Sequence, residues 1–269
     1  MFKKALKTLI VIVCFDVFLV NLAGASNLSF KTGIDYFHIS FANQSQLNIN
    51  SQNESGNFYG IYLEPTYVFF NSKLGRWFAS TNFAIAIGNT DFHGASLKQP
   101  LAFHHANSYV KIEGHIGLKQ HLNRIRFKEY FIGGWHEWNM YKKASYDEYL
   151  HSFYYGLGVG VNYKVSRDFL VGIDLSVRLA PGISSLNHMD ENYPNIGLVK
   201  YDMGTGYNYK VDMSIKYSIS RKMALEIKPY YSRWHYNASN SKMIQSSLTD
   251  ESSYAYHTLG TTLGVEYKF

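Results

Sequence analysis

The side chains best equipped for chemistry in this 269-residue chain are histidines and a scatter of opposite charges. His104 and His105 are adjacent, with His93 nearby, so imidazole nitrogens could in principle gather a divalent metal. Adjacent residues in an extended chain point to opposite sides, however, so this pair alone builds no metal site. A glycine run at Gly156, Gly158 and Gly160 has the spacing of one strand face rather than of a phosphate-cradling loop. No cofactor site is expected, and nothing resembles a nucleic-acid signature. The remaining polar chemistry lies in charges at alternate positions: Lys31, Asp35, Glu64, Lys111, Glu113, His115, Lys119, Glu129, Glu137, Asp174, Arg178, Lys210, Asp212, Lys216, Glu226, Lys228, Glu266 and Lys268. Such a face could line a narrow channel of weak selectivity, or pair into a network that fills an interior.

The elements that carry these charges are read from period-two alternation. Residues 207, 209, 211, 213, 215, 217 and 219 are apolar or aromatic, and those between them are Asn, Lys, Asp or Ser. At the C-terminus Leu259, Thr261, Leu263, Val265, Tyr267 and Phe269 share one face, opposite Gly260, Thr262, Gly264, Glu266 and Lys268. The same reading places strands at 28–39, 58–70, 77–88, 109–120, 128–141, 153–165, 169–179 and 222–236, with bulges at Pro65 and Pro229. The count is ten. Four links are short and turn-like, at 71–75, 121–126, 166–167 and 220–221. Five are long, at 40–57, 89–108, 142–152, 181–206 and 237–255. Each strand is long enough to cross a bilayer at a tilt.

These features predict an all-β fold: a transmembrane antiparallel up-and-down β-barrel of ten strands, with eight or twelve as alternatives. Short turns would lie on the periplasmic side and long loops outside. A soluble barrel or sandwich shares the periodicity, but strand length and the 23 Tyr, suited to interfacial girdles, favour the membrane. No run of roughly 20 apolar residues recurs, which excludes a polytopic helical protein.

Residues 1–25 read as a secretory signal: Lys3, Lys4 and Lys7, an apolar stretch at 9–20, then Ala23-Gly24-Ala25 before the cut. One barrel domain, 26–269, follows. Cys14 would leave with the signal, so the mature chain carries no cysteine, and barrel closure must supply its stability. Removing three lysines and one aspartate lowers the formal charge from +6 to +4, mild enough to be ordinary surface charge or to favour anionic lipopolysaccharide or an acidic ligand.

The segment 258–269 resembles the terminal assembly signal of Gram-negative outer-membrane barrels, with Leu263, Val265, Tyr267 and Phe269 as its apolar positions. That resemblance implies the outer membrane as location, with its lipid and lipopolysaccharide and the insertion machinery as partners. The ten-strand layout and residues 155–193 also resemble the omptin family of outer-membrane proteases. This second likeness implies two aspartates in the second outer loop facing an aspartate and a histidine in the fourth, together activating a water. Here the second loop has Asp91-Phe92-His93 where the family has two aspartates one residue apart. The fourth has Asp190-Glu191-Asn192-Tyr193 where it has Asp-Glu-His-Tyr. An amide at 192 cannot be a general base, so Asp91 and Asp190 would need His93 or His188 in that role. Lipid A-modifying barrels use Ser or His near the rim, but no spacing here singles out a pair. Three roles therefore stay open. The leading one is a structural or surface-interaction barrel whose loops meet an extracellular ligand or host surface; the others are a rim hydrolase and a narrow pore.

Overall fold

The computed structural model describes residues 27–44, 52–95, 100–142, 146–188, 198–239, 242–244, 247–249 and 253–269. The expected signal segment lies outside them. Ten strands close an antiparallel barrel, β1 (Leu28–Gln44), β2 (Gln52–Ser72), β3 (Gly75–Ala95), β4 (Pro100–Leu122), β5 (Ile125–Lys142), β6 (Tyr146–Lys164), β7 (Phe169–His188), β9 (Gly206–Ser218), β10 (Met223–Tyr236) and β13 (Ser253–Lys268). Neighbours in sequence are neighbours in the wall, and β13 pairs with β1 to seal it. A short β8 (Leu198–Met203) extends the β9 position along the far half of β7. The small hairpin of β11 (Lys242–Ile244) and β12 (Ser247–Thr249) sits between β10 and β13.

Four tight connections gather at one end, and their chemistry is local. Ser72, Ser166 and Ser220 each turn a hydroxyl back to accept the backbone N–H two residues on, from Leu74, Asp168 and Lys222. Asn123 takes a positive φ of 54° in the two-residue turn between β4 and β5, a conformation asparagine tolerates better than most residues.

Alternation sorts the wall as expected over most of its circumference. Ile34, Ile61, Ile87, Leu157, Val177, Met213, Ile227 and Leu263 are exposed on the outside, an apolar band suited to lipid rather than water. Three expectations are corrected. The strands run far into the segments assigned to long loops, so that Glu54 pairs with Phe92 and Asp91 with His104. Apolar alternation ends where lipid ends, but backbone pairing carries on through side chains equally at home on both faces. Second, Pro65 and Pro229 make no bulge: register is unchanged from Leu63↔Phe83 to Thr66↔Ser80 and from Ile227↔Ile215 to Tyr230↔Asp212. A missing N–H costs a ladder bond without requiring an extra residue. The register shifts fall between Val68 and Phe70 and between Phe153 and Tyr155.

Third, β5 is turned the other way. Tyr130, Ile132, His136, Trp138 and Met140 are buried inside, while Glu129 stands exposed beside Phe127 and Phe131. Glu137 shares that outward face by alternation. The lumen toward the long-connection end is aromatic, so β5 turns its larger rings Tyr130, His136 and Trp138 inward and its carboxylates outward, among Phe127 and Phe131. Two glycines make room for two of these rings. Gly158 lies under the Tyr130 ring and Gly134 under Tyr154, and a Cβ at either position would fall 2.2 Å and 2.5 Å from ring atoms.

Candidate functional site: the two-tier lumen

Inward-facing residues divide the lumen into two tiers. Toward the long-connection end, rings from the same strand, from paired strands and from across the lumen meet. Phe37 stacks on Phe58 at 4.9 Å, Trp138 meets Tyr256 edge-on at 5.5 Å, and Trp234 stacks on Tyr236 at 5.4 Å. His136 joins them, 5.0 Å from Trp234, with Tyr236 Oη 3.2 Å from its Nε2. Trp138, Tyr236, Phe58 and His136 are all at most 1% exposed, so this tier is tightly packed across the interior. Its outer edge is sealed by polar contacts. Thr90 Oγ1 donates to Glu54, Asn107 Nδ2 donates to Thr90 Oγ1 at 2.6 Å, and Trp138 Nε1 donates to Asn107 Oδ1 at 3.0 Å.

Below the rings lies a charged tier, joined to them by one buried ion pair. Arg178 donates to Glu113 through Nε (2.8 Å) and Nη2 (3.2 Å), and its Nη1 donates to Ser176 and Asn208. Tyr154 Oη donates to the same carboxylate at 3.0 Å. Glu113 and Arg178 lie 65 residues apart on β4 and β7, so the pair braces the lumen across its width. Toward the short-turn end the tier opens into a cavity of about 440 Å³, walled by Lys31, Glu64, Asp174, Lys216 and Glu226 among others. A smaller space of about 100 Å³ remains around Asp35, Lys111 and Tyr230, against the rings.

One triad-like line appears inside. Ser80 Oγ is 3.3 Å from His115 Nδ1, and His115 Nε2 is 3.1 Å from Glu113 Oε1. A nucleophile relay needs a carboxylate free to hold an imidazolium. Glu113 already accepts two bonds from the Arg178 guanidinium, so its oxygens are shared between His115 and that cation, and the line is part of a fixed polar network. Sequence reading did not find these contacts. Their signal is positional: Ser80 lies directly opposite His115, and Asn82 opposite Glu113, in the β3–β4 register.

Of the four residues singled out for rim hydrolysis, two have described side chains, and neither is brought into the lumen. Asp91 and His93 face outward, exposed on the outer wall, where Asp91 contacts His104 Nδ1. His188 is described through its backbone, which pairs with Leu198. Three strands of the wall, β4, β5 and β6, separate β3 from β7. Asp190 and Asn192 lie outside the described residues. Among the described residues no three His, Cys, Asp or Glu side chains gather to hold a metal ion.

Neither a family model nor a curated protein sequence matches the chain. Solved structures do. The outer membrane protease OmpT from Escherichia coli superposes with a TM-score of 0.58 at 9% identity, covering 91% of this chain and 97% of that one. The transport unit of the autotransporter AIDA-I from Escherichia coli gives 0.50 at 12% identity, with 90% of each chain covered. The fold is that of outer-membrane β-barrels. At such identities the likeness speaks for backbone architecture alone, and the function must come from the side chains described above.

Proposed function

We propose that this chain is an exported outer-membrane barrel with a closed lumen, serving a structural or surface-interaction role through the wall and loops at its long-connection end. The observation that supports this reading is the ring tier: Trp138, Tyr236, Phe58 and His136 are fully buried and packed together inside the barrel. The exposed apolar band supports a bilayer setting, and the short-turn end is assigned to the periplasm because loops of this class project outward. Residues 1–25 then act as the cleaved signal. The partners of this reading are membrane lipid, lipopolysaccharide and an extracellular ligand or host surface that meets the loops.

Leu263, Val265, Tyr267 and Phe269 serve in it as the contact for the insertion machinery. Their outward exposure supports this, as does the bond from Phe269 N–H to Leu28 O at 3.1 Å, at the seam where β13 meets β1. Two measurements test the proposal. Purified protein in a planar bilayer is expected to give no stepwise conductance, and discrete channel steps would overturn the closed lumen. Incubation with a dibasic peptide or with lipid A is expected to leave both intact; turnover lost on Asp91→Ala or His188→Ala would restore the hydrolase reading.

A further inference from the structure

The charges of the 440 Å³ cavity are not evenly distributed. Thirteen Lys and Arg line it against seven Asp and Glu, an excess of six. The chain from residue 26 onward carries only +4 in all, so the cavity holds more than the whole net charge and the rest of the molecule is acidic. Within the cavity the two walls differ. On the side of β1, β9, β10 and β13, carboxylates and amines neutralise one another: Lys31 with Glu226 at 2.7 Å, Lys216 with Glu266 at 2.5 Å, and Lys210 with Asp212 at 2.7 Å.

On the side of β3 to β6 the cations stand together. Arg76 is directly opposite Lys119, and Lys119 directly opposite Lys128. One step nearer the mouth, Arg126 lies opposite His121, and Lys164 ends β6 on the same inner face. Only Lys128 has a carboxylate, Asp174 at 2.6 Å; Arg76, Lys119, Arg126 and Lys164 make no ion pair among the described residues. Lys119 instead lies over the Phe78 ring, 4.3 Å from its centre. Like charges directly opposite on adjacent strands destabilise a sheet. Three in a row, in a partly enclosed space where screening is weaker than in bulk water, form an arrangement that an occupant of opposite charge would relieve.

We propose that this arc is a binding site for a small soluble polyanion of phosphate or carboxylate chemistry, entering by the short-turn mouth. Arg76 and Arg126 offer forked N–H donors to its oxygens, and Lys119 and Lys164 offer point charges. A cavity of this size suits a compact small molecule. The occupant is soluble rather than a lipid headgroup, because the arc faces the lumen and acyl chains cannot pass through the barrel wall.

The test is calorimetric titration of the full barrel, in zwitterionic detergent at low salt, with pyrophosphate and with citrate. Binding is expected for at least one of them, weakening steeply as salt is raised. The triple variant Arg76→Gln, Lys119→Gln, Arg126→Gln should lose at least tenfold in affinity, while Lys222→Gln, in a turn away from the arc, should not. No binding, or equal binding by the triple variant, overturns the site. Stability gives a second readout that does not depend on the triple variant folding. Lys119→Met alone should raise the urea midpoint of the unliganded barrel while weakening pyrophosphate binding; a lowered midpoint would mark Lys119 as a structural residue and refute the proposal.

Discussion

Replacing Arg178 by alanine gives the sharpest check on the lumen. Glu113 and Arg178 are about equally inaccessible, with side chains 5% and 6% exposed, and the guanidinium makes two bonds to the carboxylate and two more to Ser176 and Asn208. Asn208 in turn donates to Ser232 at 2.8 Å, so one side chain links β4, β7, β9 and β10. Arg178→Ala leaves a buried carboxylate with only Tyr154 and His115 to satisfy it, a loss of about 3–5 kcal/mol. With a urea slope of about 2 kcal/mol per molar, the unfolding midpoint in lipid vesicles should fall by about 2 M, followed by tryptophan fluorescence. The double variant Glu113→Leu, Arg178→Met removes both charges and should recover most of that loss. Single-variant losses that simply add in the double would mean the two groups do not meet. A midpoint shift under about 0.5 M for Arg178→Ala would refute the burial itself.

Three further outcomes are expected. Gly134→Ala places a methyl against the Tyr154 ring and should cost about 1–3 kcal/mol in the same unfolding assay, whereas Gly133→Ala, with open space around it, should cost far less. Asp91→Ala and His93→Ala, exposed on the outer wall, should change stability by no more than about 0.5 kcal/mol. Deleting Phe269 removes its edge contacts with Phe30 and Tyr267 at 5.8 Å and 5.1 Å and should lower the fraction of protein that shows a heat-dependent gel shift after expression in cells.

How much of this was legible beforehand depended on what each side chain faced. For β9, Tyr207 to Tyr217 presents an apolar face outward and a charged face inward, and its facing could be read directly from alternation. The serine-led turns at Ser72, Ser166 and Ser220 were equally plain, since their chemistry lies within four residues. β5 could not be read that way. Trp138 and Ile132 are as apolar as any lipid-facing residue, and period two does not distinguish a hydrophobic interior from a hydrophobic exterior. The reach of β3 and β4 beyond the apolar band was also hidden, because Asp91, His93 and His104 suit a paired strand in water as well as a loop. Glu113 and Arg178 were each recognised as inward charges, but their meeting depends on barrel closure across 65 positions, which no local pattern encodes. The resemblance to omptins anticipated the barrel backbone; of its candidate site residues Asp91 and His93 turn to the outside, and Asp190 lies outside the described residues.

The division of the lumen also sets a direction of exchange. On the proposed reading, with rings packed across one end and the other open, the interior behaves as a blind cup rather than a conduit. Whatever enters past Arg126 and Lys164 must leave by the same door, so occupancy would report the composition of one compartment only. In such a vessel the braces between Glu113, Arg178 and Asn208 are its floor, and a signal could reach the far rim only by moving that floor, not by passing matter through it.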